Sequence, residues 1–116
     1  MSLRQRLKIA ALSVNKCWVG KLKKTAAYAN YEESLLWILK EGKLPAKPYL
    51  LSIEVGFSSK ASDLDNVFKA FLDILEKKYP GFDDKDIHRI EAQKQIVKRG
   101  EEFIDFSLST FNLPKH

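Results

Sequence analysis

This chain has little that would tie it together covalently and little that would hold a soft metal. Cys17 is the only cysteine in 116 residues. One cysteine makes neither an intrachain disulfide nor a zinc site built on several thiolates, and it fits a reducing cytoplasm. Glycine (5) and proline (4) are scarce, and there is no low-complexity tract, repeat or long linker. No apolar run approaches the roughly 20 residues of a membrane-spanning helix, so no membrane association is expected. Arg4 and Arg6 open the chain without a following apolar stretch and cleavage site, so no signal peptide is expected. Acid is missing from one region altogether. Between Met1 and Tyr31 there are seven basic residues (Arg4, Arg6, Lys8, Lys16, Lys21, Lys23, Lys24) and no Asp or Glu.

What is present outlines a folded protein with uneven charge. Hydrophobic residues make up 45%, enough for one domain around one core. Net charge is +5, yet residues 63–86 hold seven acids against four lysines. A basic region suits a phosphate backbone and an acidic one suits a divalent metal. That combination points to an enzyme that cuts a polyanion; chance clustering on a solvated surface is the competing account.

The periodicities suggest β-α-β-α-β-β. A short apolar run predicts a first strand over 7–12, and 13–27 reads as a long basic loop. Helical spacing of Tyr31, Leu35, Leu36 and Leu39 predicts a helix over 28–40, ended by Gly42 and Pro45. Tyr49, Leu51, Ile53, Val55 and Phe57 alternate with Ser52 and Glu54, giving a strand over 49–57. Leu64, Phe68, Phe71, Leu72 and Leu75 form a stripe predicting a helix through Lys78, stopped by Pro80-Gly81. Strands follow over 87–97 and 103–108, with Lys98-Arg99-Gly100-Glu101 read as a hairpin turn between them. The expected class is α+β: a small mixed sheet with both helices on one face.

The chemistry concentrates in Asp63-Leu64-Asp65-Asn66, Lys69 and Asp83-Asp84. Two residues apart within a helix, Asp63 and Asp65 would diverge by about 200° around its axis; in extended chain they point the same way. They reach one ion only if the segment is a strand-like lead-in to the helix. Asp84 approaches them only if the strand after it runs beside the strand ending at Phe57. Carboxylates suit Mg²⁺, which activates water and stabilises phosphoryl charge, and a nearby lysine can hold the phosphate. The competing account is structural: aspartates cap helix N-termini, and Lys69 forms surface pairs with Asp65 or Asp73.

These residues resemble the RusA family of Holliday-junction resolvases. The likeness rests on Asp63-Leu64-Asp65-Asn66-x-x-Lys69, then Asp73, Leu75, Asp83-Asp84 and Ile87. Ser13-Val14-Asn15-Lys16 with Trp18 is similar to that family's Ser-x-Asn loop. It covers nearly the whole chain. It implies a homodimeric, Mg²⁺-dependent endonuclease (Mn²⁺ substituting) that nicks four-way DNA junctions symmetrically; many such enzymes are encoded by phages or prophages. Asp63, Asp65 and Asp84 would be catalytic metal ligands and Lys69 the catalytic lysine. Asn15, Lys16, Trp18, Lys21, Lys23, Lys24 and Lys60 would touch DNA. Two departures stand out: Ser62 replaces the family's basic residue before the first aspartate, and Ala11-Leu12 replace the proline before the loop.

Two other classes stay open: a nucleic-acid-binding module without catalysis, and a metal-dependent nuclease acting on flaps, duplex or RNA. Trp18 is the better candidate for stacking on bases, whereas Tyr31 is expected in the core and His88 is expected to be structural.

Overall fold

The strand Tyr49–Phe57, here β4, is the axis of the molecule. In the computed structural model, which describes residues 2–16, 18–19 and 23–112, it pairs on both sides. Before it come β1 (Ser2–Leu7), the two-residue strands β2 (Trp18–Val19) and β3 (Lys23–Lys24), and helix α1 (Ala26–Ile38). After it come helix α2 (Phe68–Lys78), β5 (Ile87–Ile96) and β6 (Phe103–Thr110). The main sheet is mixed, in the order β1-β6-β4-β5, and β2 and β3 form a separate ribbon. This is the α+β arrangement the periodicities suggest.

Alternation decides which face of the sheet is buried. Tyr49, Leu51, Ile53 and Val55 of β4 lie inward, with Ile104, Phe106 and Leu108 of β6 and Leu3 and Leu7 of β1 beside them. Both helices cover this face. Thr25 caps α1 by accepting from the Tyr28 N–H (3.1 Å), satisfying a donor the helix leaves free. Tyr28, Tyr31 and Leu35 then form its buried stripe. The α2 stripe is Ala70, Phe71, Leu72, Ile74 and Leu75, with Phe71 edge-on to Phe106 at 5.2 Å. Lys77 and Lys78 sit in its last turn, where cations favour the helix dipole. Burial of Tyr31 agrees with its expected place in the core.

Among the described residues, Gln5 is the one buried polar side chain of the core. It donates to the Tyr79 hydroxyl (2.7 Å) and to the Lys40 carbonyl (3.2 Å), and accepts from the Lys40 N–H (2.9 Å). The Tyr79 hydroxyl in turn donates to the Lys40 carbonyl (2.6 Å). Burial pushes the Tyr79 phenol up from its usual value.

Three expectations are corrected. The first strand is Ser2–Leu7, not 7–12, because Leu3 and Leu7 point inward with Gln5 between them. The basic segment 13–27 is not all loop: it holds a 3-10 turn (Val14–Lys16), the β2–β3 ribbon and the first turn of α1. The hairpin is absent. Lys98–Glu101 does turn, with the Glu101 N–H on the Lys98 carbonyl (2.9 Å) and Gly100 at φ +93°. However, β5 pairs parallel with β4, and β6 pairs with β4 from the other side. The turn carries the chain over the end of β4 rather than back along β5. No helix among the described residues is long and apolar enough to cross a membrane.

Candidate metal and nucleic-acid site

The loop after β4 leads into a 3-10 turn, Leu64–Val67, that runs directly into α2. Asp63 precedes it with extended backbone (φ −98°, ψ 128°). This is the strand-like lead-in that two cooperating aspartates require. Asp63 makes no side-chain cap bond; among the described residues its carboxylate accepts only from the Asn66 amide (3.3 Å). Asp63 and Asp65 are both exposed. Lys69, one turn on, is exposed and pairs with Asp73 at 3.6 Å, a contact that contributes little in water.

The basic loop meets this segment. The Val14–Lys16 turn packs against the Leu64–Val67 turn. A cleft of about 380 Å³ lies between them, lined by Ser13, Asn15 and Lys16 on one side and Ser62, Asp63 and Asn66 on the other. Chain segments nearly fifty residues apart (Asn15 to Asp63) thus join Ser-x-Asn loop and aspartate motif. The Lys16 carbonyl accepts from the Thr25 hydroxyl (2.6 Å), fastening the loop to the start of α1. Lys24 turns towards that helix, 4.7 Å from the Tyr28 ring centre and 3.9 Å from Glu32. Exposed Lys60 lies three residues before Asp63, and its carbonyl accepts from Lys94 (3.2 Å). Trp18 and Lys23 have their backbones in the β2–β3 ribbon; their side chains, and all of Lys21, lie outside the described residues.

Asp84 is elsewhere. Because β5 runs parallel to β4, with Ile87 opposite Tyr49 and Ile96 opposite Phe57, the turn before β5 sits at the start of β4. Asp63 and Asp65 follow its end. The 11 residues of α2 separate the two acidic groups by about 16 Å. The next strand does run beside β4, but its direction carries Asp84 away from the aspartate motif. One chain therefore does not bring Asp63, Asp65 and Asp84 round a single ion.

Asp84 has other company. Gly81, at φ +92°, turns the chain back so that carboxylate oxygens of Glu76, Asp83 and Asp84 lie within 4.8 Å of one another. Two of these groups already serve the backbone. Asp83 accepts from the Lys85 N–H (3.1 Å) and Glu76 from the Asp84 N–H (3.0 Å). Glu76 carries no signal in the sequence; its spacing from Asp84 becomes meaningful only once Gly81 reverses the chain. His88 is exposed, 6.3 Å from the Phe111 ring.

No family model matches the chain, and no curated protein matches it.

Proposed function

We propose that this chain is a metal-dependent, structure-selective DNA endonuclease of the RusA type, resolving four-way junctions in recombination and repair, in the cytoplasm and as a homodimer. The observation that carries the reading is the cleft shared by the Asn15–Lys16 loop and the Asp63–Asn66 segment. It sets backbone-binding groups beside oxygen ligands, the pairing a phosphodiesterase needs.

Asp63 and Asp65 would hold the ion. Their hard, exposed oxygens suit Mg²⁺, and the Asp63 carboxylate is not consumed by capping. When bound, the ion supplies acidified water and positive charge at the phosphoryl oxygen. Lys69 exchanges Asp73 for a non-bridging phosphate oxygen. Asn15 and Lys16 hold the backbone at the cleft, and Lys23, Lys24 and Lys60 supply further positive charge for the DNA. Cleavage leaves 5′-phosphate and 3′-hydroxyl ends. Asp84 joins this ligand set only if a second copy presents it.

One observation favours a second reading, a binding module without catalysis: in the single chain Asp84 is remote and its neighbours act as caps. An end-labelled four-way junction and a matched linear duplex, each with Mg²⁺ or EDTA, separate the two. Paired metal-dependent nicks confined to the junction are expected. Tight junction binding without metal-dependent cutting would overturn the nuclease reading.

A further inference from the structure

Cations are handled differently at the two ends of the main sheet. Where β4 and β5 begin, acids answer them: Lys47 lies 3.3 Å from Asp86, Lys85 4.0 Å from Asp83 and Arg89 3.2 Å from Glu91. Where β4 and β5 stop and β6 begins, Lys8, Lys60, Lys98 and Arg99 are exposed, and among the described residues none makes an ion pair. Like charges gathered without partners repel one another, and a phosphate backbone is their complement.

The turn that carries Lys98 and Arg99 is braced. The Val97 N–H donates to the Phe57 carbonyl (2.8 Å), tying the turn to the end of β4. Of its two acids, Glu102 is folded back: its carboxylate accepts from the Gly100 N–H (2.8 Å) and from the Ser58 hydroxyl, where the loop to Asp63 starts. Glu101 stays exposed. Between this turn and the segment after β1 lies a cleft of about 320 Å³, lined by Arg6, Lys8, Gly100 and Phe103 among others. Ala10 is the last residue of that segment on this cleft, and Ala11 is the first on the cleft of Asn15, Lys16 and Asp63. The two clefts therefore adjoin.

We propose that the 98–100 turn and Lys8 form a second contact for the phosphate backbone, gripping the DNA strand beyond the point where Asp63 and Asp65 would hold the ion. This deepens the nuclease reading and takes its partner from it. A strand seated at the aspartate segment runs on past Lys8 to the turn. Contacts of this kind fix position and carry no sequence information. Losing them costs affinity and leaves the rate of the bound complex as it was.

The contact is tested by binding, apart from cutting. The full chain is titrated onto a labelled four-way junction and a matched duplex, in EDTA and at several salt concentrations. Lys98→Ala with Arg99→Ala should weaken binding about ten-fold and lower the log–log salt slope by about two, one for each phosphate released. Cutting of the junction at saturating protein with Mg²⁺ should be unchanged. Glu101→Gln removes the exposed acid of the turn and should tighten binding about two-fold. Lys40→Ala with Lys43→Ala is the control. These two lysines are also exposed and without ion pairs, but they lie beside the start of β1, at the other end of the sheet. Their loss should leave the slope as it is.

An unchanged slope in the Lys98, Arg99 variant overturns the proposal. So does an equal fall in the Lys40, Lys43 variant, which would make the effect one of net charge, and so does a wild type that binds neither DNA. A variant that keeps both its slope and its cutting removes the contact and leaves the nuclease reading. A slope that falls by about two in a chain that never cuts leaves the contact and removes that reading.

Discussion

The two ends of α2 carry similar residues and use them differently. At its start, Asp63 and Asp65 are exposed and Asp63 caps nothing, while the basic loop closes over one side. At its end, Asp83 and Glu76 accept from the backbone N–H groups of the turn that follows. The first group has oxygens free for an ion and cations nearby for a phosphate. In the second, two of the three carboxylates hold the backbone of the turn. Carboxylate spacing alone does not separate these uses; the hydrogen bonds around each group do.

The most drastic way to break this comparison is to neutralise each end in turn. Asp65→Asn should abolish metal-dependent cutting, a loss of at least about a hundred-fold given what a bound ion contributes, with junction binding retained in gel shifts. Glu76→Gln should leave cutting nearly unchanged. If it proves as damaging as Asp65→Asn, the two ends are functionally equal and the contrast fails. Asp84→Asn sharpens the point through mixing. Alone, it and Asp65→Asn should both be inactive. Coexpressed, they should recover nicking of single strands if the site is shared between copies, since one of two sites is then intact. Two lesions within one self-contained site would show no recovery.

A smaller effect is expected one turn into the helix. Lys69→Ala should slow cleavage by about ten- to a hundred-fold, the scale of a single charge stabilising a transition state, with little change in junction affinity. Equal loss of both would make Lys69 an anchor. Changing Lys23 and Lys24 together to Ala should weaken binding on all DNA. It should also flatten the log–log salt dependence by about two, one for each phosphate no longer neutralised.

Much of this was readable from the chain and some was not, for physical reasons. β4 appears at its expected bounds because the alternation from Tyr49 to Phe57 is strict and Ser52 and Glu54 mark the other face. α2 follows its apolar stripe. β1 was displaced because Gln5 stands where an apolar residue would signal the inward face, and only the distant Tyr79 and Lys40 explain its burial. The β5–β6 hairpin failed for a different reason. Turn chemistry is local and Lys98–Glu101 does turn, but which strands pair is decided by burial of the whole sheet. That same non-local choice sets the direction of β5, and so the distance of Asp84 from Asp63. The meeting of the Asn15–Lys16 loop with the aspartate segment has no signal in the chain, because it joins segments nearly fifty residues apart.

The smallest effect concerns the far end of α2. Because the Tyr79 phenol is held above its usual value of 10.0 by burial, folding favours its protonated form. That stability is fully present below pH 10.0 and is lost as pH rises through the folded value. Tyr79→Phe should cost about 1 kcal/mol at neutral pH by unsatisfying Gln5, and should flatten the alkaline fall in Tm. An unchanged alkaline profile would assign that fall to other groups.

The pairing of Ser2–Leu7 with Phe103–Thr110 also bears on how the protein is made. β1 precedes every other strand of the main sheet in sequence and hydrogen-bonds to β6, which follows them all, so the sheet cannot close until β6 has been made. Until then Leu3, Leu7 and the inward face of β4 lack their partner strand. Contacts this far apart in sequence form slowly, and a nascent chain with such faces uncovered is the species most exposed to aggregation. Joining β6 to β1 by a short linker after Asn112 and opening the chain at Lys98–Glu101 should shorten that wait, speeding refolding while leaving both ends of α2 untouched.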